Sequence, residues 1–257
     1  MPRLRIARLL SPVGALFAIG LSLLVVSPSV EAAGERQLPA KFRHSPYTLM
    51  SLSVGYPNAG WQLRAKRLKK KPYLAIKAGS EDLVYGHPAL VLMLERSSRA
   101  VSRAARGSVM LVGDLSRRDG GALAGHRSHQ SGRDADIGFY VVDAQGRPTL
   151  PSRFVSFDGR GEATDGSRLR FDDHRNWLLV EQWTLDARAG ISHIFISRPL
   201  RSRLIKYGLS RPASRKFVPE VVRLLKQPEE SSAHDDHFHV RIACPARHDG
   251  LCHAESR

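Results

Sequence analysis

At 257 residues, with 42% hydrophobic and 25% charged positions, the chain has the balance of an ordinary globular protein and is not too polar to bury a core. Forty lysines and arginines against 24 acids leave a net charge of +16, which favours anionic partners. The basic runs Arg64 to Lys71 and Arg198 to Lys216 have few interleaved aromatics and no RNA- or DNA-binding signature, so nucleic acid is not expected; a merely solvated basic face explains them equally well.

The chain begins with "MPRLRIAR", three arginines and no acid, followed by the apolar "LLSPVGALFAIGLSLLVV" and the small-residue exit "SPSVEAAGE". That order is a secretory signal peptide over residues 1–33, cleaved after Ala32 or Ala33. An uncleaved anchor is the alternative; Pro12, Gly14 and Pro28 favour cleavage, and either reading sends the body of the protein out of the cytoplasm. No later run is long enough to span a bilayer.

Residues 34–85, with turns such as "GYPNAG", read as an extended arm and loops over the core. Gly86 to Ala105 reads as a helix, since Leu90, Leu94, Val101 and Ala105 recur at helical spacing. Ser108 to Ser116 is a short apolar run and is expected as a buried strand. In "DADIGFYVVD" the residues alternate, with Ile137, Phe139 and Val141 on one face and Asp136, Gly138 and Tyr140 on the other. A helix is expected over Asp173 to Ala189, a strand at "SHIFISR", helical turns around "SRLIKYG" and "FVPEVVRLLKQ", and a last strand at "HFHVRIAC". Strands and helices mingle without a βαβ repeat, so the fold class is α+β, a mostly antiparallel central sheet flanked by helices. Cys244 and Cys252, the two cysteines of the chain, lie in "CPARHDGLC" and are expected to form a disulfide outside the cytoplasm.

Five of the eleven histidines lie in two short clusters. The first, "GHRSHQSGRDADIGFY", offers His126, His129 and Asp136; the second, "HDDHFHVRIACP", offers His234, His237 and His239. On a strand, His237, His239 and Arg241 point to one face and Phe238, Val240 and Ile242 to the core. Histidines with one carboxylate and no cysteine suit a catalytic zinc on the sheet, which keeps a position for water, and not a closed structural zinc. Gly132 would let the loop between His129 and Asp136 fold back. Asp134 fits a loop-capping role slightly better than a contact behind a metal ligand, and neither it nor the two arginines of this stretch is counted in the chemistry.

The pattern "SHQSGRDADI" with "HFH" resembles the shared metal-binding motif of zinc peptidases that cut peptidoglycan. The order of "YGHPALVLMLERSS", "GSVMLVGDLS", "GGALAGHRSHQSGRDADI", "HIFISRPLR" and "HFHVRIACP" is similar to that of the penicillin-insensitive murein endopeptidases, over roughly residues 50–252. The resemblance implies a single zinc metallopeptidase domain over 34–257. It implies His129, Asp136 and His239 as zinc ligands and His126 as a further one. His237 becomes the general base or oxyanion stabiliser, and His234 another active-site histidine. An interface-type second metal site has no clear counterpart in "RFDDHRNW", where His174 is expected at the surface.

The implied reaction is hydrolysis of the D-alanyl–meso-diaminopimelyl cross-link of peptidoglycan by a metal-activated water, in the periplasm, with anionic wall or membrane surface as a further contact. Two rivals stand beside it: a D-Ala-D-Ala carboxypeptidase or dipeptidase on the same scaffold, and a non-catalytic basic wall-binding protein.

Overall fold

The computed structural model describes residues 38–227, 233–248 and 250–255; the expected signal peptide lies outside them. The chain first forms short strands β1 (Leu52–Tyr56), β2 (Ala59–Leu63), β3 (Lys66–Arg67), β4 (Leu74–Ile76) and β5 (Tyr85–Gly86). Helix α1 (Pro88–Ala104) follows, then β6 (Met110–Val112), β7 (Asp134–Gly138), β8 (Val141–Val142), β9 (Pro148–Thr149) and β10 (Arg170–Phe171). The second half contains α2 (Asp173–Leu185), β11 (Ile191–Phe195), α3 (Arg198–Ser210), α4 (Val218–Leu224), β12 (Leu225–Lys226) and β13 (His237–Ile242).

Six of these strands form the central sheet, in the order β12-β11-β13-β7-β6-β4. The three inner pairings are antiparallel, and the two edge pairings, β12 with β11 and β4 with β6, are parallel. The α+β expectation is therefore met. The segment read as a loose arm holds more order than its sequence suggested. "GYPNAG" is the turn of the β1–β2 hairpin, and β4 is an edge of the central sheet. Strands of two to five residues, broken by glycine and lysine, are too short to show the alternation that marks a strand in sequence.

One face of the sheet is the core. Phe238, Val240 and Ile242 are fully buried there, and Phe238 meets the rings of Phe139 and Trp183 edge-on at 4.7 and 5.6 Å. The apolar stripe of α1, Leu90, Leu94 and Val101, is fully buried as its spacing requires. Proline at its first turn and a His87 ring that accepts the Ala89 N–H start that helix. Helix α2 is capped by Asp172, whose carboxylate accepts the Arg175 N–H. Asn176 in its first turn binds the Tyr140 backbone through both ends of its amide. Its Trp183 donates to Ser97 of α1 at 3.1 Å, and Trp177 packs where Gly208 leaves α3 bare.

The opposite face carries the polar residues. In the β7–β13 register, His239 stands opposite Asp136, His237 opposite Gly138 and Arg241 opposite Asp134. Because strand side chains alternate, a slip of one residue would bury the histidines in the core and expel Phe238 and Val240. Packing on one face therefore fixes the chemistry on the other.

Candidate metal centre

The two histidine clusters meet on that polar face. Asp136 projects from the middle of β7 and is almost wholly buried. Its Oδ1 lies 3.2 Å from His129 Nε2, 3.3 Å from His239 Nδ1 and 3.4 Å from His237 Nε2. Its Oδ2 lies 3.6 Å from His126 Nδ1. Ligand atoms of His126, His129 and Asp136 fall within 4.8 Å of one another. His234 flanks the group, its ring centre 5.1 Å from that of His237 and 5.7 Å from that of His239.

Four of these imidazoles, His126, His129, His237 and His239, have the nitrogen turned away from Asp136 held from behind. His129 Nδ1 is 2.6 Å from the Leu115 carbonyl, an acceptor only, so that nitrogen carries a proton and Nε2 is the one turned to Asp136. His126 Nε2 is 2.9 Å from Asp114, His239 Nε2 is 2.9 Å from Asp134, and His237 Nδ1 is 2.5 Å from Asp236. Such outer partners orient metal-binding histidines and raise their basicity. His129 Nε2 and Asp136 Oδ1 are buried and complete no hydrogen bond, although buried polar atoms nearly always do. Ring nitrogens and a carboxylate oxygen that converge on one point in this way suit a cation.

The backbone that delivers His129 is bent to do so. His129 itself has φ +66°, and Gly132 has φ +72°. A Cβ on Gly132 would fall 1.9 Å from Gln62 Oε1, so glycine is required there for space as well as for conformation. Ser116 Oγ donates to the His129 carbonyl at 2.5 Å, which ties the loop to the segment after β6.

The charges follow the geometry. Burial alone would raise the Asp136 pKa, but the charges of His129 and His237 hold it well below the usual carboxylate range. Burial opposes protonation of His237, yet the charge of Asp136 and bonds to Asp136 and Asp236 outweigh it and push the pKa up to about 10. His239 is also raised, burial being overcome by Asp134 and Asp136. Asp134 is held low against its burial by the charge of Arg241 and the His239 hydrogen bond.

Asp134 corrects the sequence reading. It does hold the loop, its Oδ2 accepting the His129 N–H at 3.3 Å, but it also lies in β7, wholly buried, on the same face as Asp136, and its Oδ1 joins His239 to Arg241 Nε at 2.5 Å. Strand pairing begins at Asp134 itself, so it faces the site instead of turning away. Arg133 is fully buried and donates to the His253 carbonyl at 2.6 Å, a tie to the C-terminal loop, while Arg127 is exposed. His174 is exposed as expected, 3.0 Å from the Tyr207 hydroxyl. Cys244 and Cys252 are bonded, with Cα atoms 5.8 Å apart. Asp114, Asp236, Phe154 and the Leu115 carbonyl were not singled out from the sequence. Asp114 alone left a trace there, as the acid that ends the apolar run of β6.

A family model described as penicillin-insensitive murein endopeptidase matches residues 53–257. The chain belongs to this family. A penicillin-insensitive murein endopeptidase of Haemophilus influenzae is 31% identical over 167 residues, 63% of this chain and 52% of that protein. One from Escherichia coli is 30% identical over 169 residues, 63% of this chain and 55% of that protein. The chain thus spans about half the length of the curated family members it matches. Both histidine clusters, His126 to Asp136 and His234 to His239, fall inside the family match.

Proposed function

We propose that this protein is a zinc-dependent murein endopeptidase, acting outside the cytoplasm on the D-alanyl–meso-diaminopimelyl cross-link of peptidoglycan. The observation that carries the proposal is Asp136 Oδ1, buried and without a hydrogen bond, ringed by three imidazole nitrogens at 3.2–3.4 Å. Family membership supplies the substrate class.

His129, Asp136 and His239 would hold the ion, with His126 as the further ligand; nitrogen and carboxylate donors without thiolate fit a catalytic zinc. When bound, zinc supplies a Lewis acid for the scissile carbonyl and lowers the pKa of water. The protein's own groups do the rest. Asp134 and Asp114 keep the ring nitrogens of His239 and His126 turned toward the site. His237 is placed as the proton carrier: Asp236 occupies its Nδ1, so Nε2 is the atom that takes a proton from water and passes it to the leaving amine. Its neighbour Phe154 stacks on the ring at 5.0 Å and restricts its rotation. His234, beside His237, faces the same developing charge. No serine is acylated in this scheme, so β-lactams would not trap the enzyme.

Incubation of zinc-loaded protein with a purified cross-linked muropeptide dimer tests the reading. Conversion to monomers is expected, and His129→Ala should abolish it. Release of free D-alanine with the cross-link intact would assign a carboxypeptidase on this scaffold. Polymer binding that survives His129→Ala with no cleavage by either form would assign a wall-binding protein.

A further inference from the structure

Two bare positions lie beside the metal cluster on the same face of the sheet. Gly113 donates its N–H to the Asp136 carbonyl at 2.8 Å, and Gly138 is the register partner of His237. A side chain at either would collide with Phe154: a Cβ on Gly113 would lie 2.5 Å from its Cζ, and one on Gly138 3.0 Å from its Cδ1. The glycines form a socket, and Phe154, from the loop after β9, fills it with its ring stacked on His237. Lys77 crosses the same socket. Its N–H bonds the Val112 carbonyl at 2.7 Å, its Cε would come within 3.3 Å of a Gly113 Cβ, and its ammonium lies 5.7 Å from the Phe154 ring centre.

The ammonium of Lys77 forms no ion pair among the described residues, and the carboxylate that feels its charge is Asp114. Lys77 is half-buried and rests on the face of Phe154. Asp114 is shared, its Oδ2 being 2.9 Å from His126 Nε2. A cation held on an aromatic ring is oriented but not neutralised, so it stays available to a ligand anion. The ring that carries Lys77 is the ring that stacks on the proton carrier.

We infer that Lys77 is a specificity-determining residue that binds the free carboxylate next to the scissile amide, with Phe154 as the shelf that sets its position. This rests on the endopeptidase reading above. In that cross-link the carbon bearing the leaving nitrogen also bears a carboxylate. A group that receives a proton from His237 therefore brings an anion to within one aromatic ring of the ammonium. A site built around such a charge rejects analogues that lack it.

The test compares the muropeptide dimer with the same dimer amidated at that carboxylate, using wild type, Lys77→Met and Lys77→Arg. Amidation should lower the wild-type kcat/KM by about 10- to 100-fold, the scale of one hydrogen bond to a charged group, chiefly through KM. Lys77→Met should lose a similar factor on the acid dimer and almost nothing further on the amide, and Lys77→Arg should recover most of the loss. Equal cleavage of both dimers by wild type, or an equal loss on both in Lys77→Met, overturns the inference while the endopeptidase reading stands. Failure of wild type to cleave either dimer removes that reading and the inference with it. The wild-type comparison needs no substitution, so a misfolded variant cannot imitate it.

Discussion

Asp134 carries a full charge at a position with no exposed surface, between His239 and Arg241. Removing its carboxylate should act in two separable ways. Asp134→Asn keeps the shape but weakens the hold on His239, and zinc affinity should fall by about 10- to 100-fold in a chelator competition. Asp134→Ala also strands the buried Arg241 guanidinium and should cost about 3–5 kcal/mol in chemical denaturation. An asparagine variant with unchanged affinity would show that Asp134 serves stability alone. The histidines give a pH dependence whose sign is fixed by their shifts. The His237 pKa is raised to about 10, so in chelator-treated protein its stabilising pairing with Asp136 is complete below the ordinary histidine value of about 6.5. It is lost as the pH climbs through about 10, and the melting temperature should decline across that window. Zinc on Asp136 competes with protonated His237 for that carboxylate, so zinc affinity should rise over that interval, as calorimetry in buffers of different ionisation heat would show. A flat affinity profile would contradict the protonation scheme.

Among the elements, those with a long apolar period were legible in the sequence. Helix α1 shows its stripe over seventeen residues, and β13 shows strict alternation that assigned His237, His239 and Arg241 to one face. The short edge strands were not legible, because two or three residues carry no period. The histidines of the site could be read because their residue type is chemically specific. Asp114 and Asp236 could not, since an aspartate gains its role only from the ring that the fold brings to it. Phe154 and Lys77 lie outside any periodic element and reach the site through glycines whose importance is spatial. Packing between elements gives its own prediction. A Cβ on Gly208 would fall 2.1 Å from Trp177 Cη2, inside the α2–α3 contact. Gly208→Ala should therefore destabilise the protein by about 1–3 kcal/mol, despite alanine's better helix propensity, and leave zinc affinity unchanged. A variant as stable as wild type would mean that α2 and α3 do not pack this closely.

At the scale of the whole molecule, the C-terminal loop closes the structure over the first hairpin. Its backbone is tied to β1 through the Gly55 N–H to Leu251 and the His253 N–H to Gly55, and Arg133 reaches the His253 carbonyl from the loop before β7. His248 Nδ1 accepts the Ser53 N–H. The Cys244–Cys252 bond holds this latch, spanning eight residues of sequence. Replacing both cysteines by serine should lower stability by about 2–3 kcal/mol, the chain-entropy value for so short a loop, in denaturant unfolding under oxidising conditions. The histidine face, the latch and the signal-like first residues are what the proposed account, of an exported cell-wall hydrolase with a histidine-held ion, draws together. Its central claim is most directly tested by stripping the protein with a chelator and titrating zinc back while cleavage of the cross-linked dimer is followed by mass spectrometry. Cleavage should vanish on stripping, return in proportion to bound zinc and saturate at one ion per chain. Undiminished cleavage by the stripped protein, or none by the fully loaded one, would contradict it.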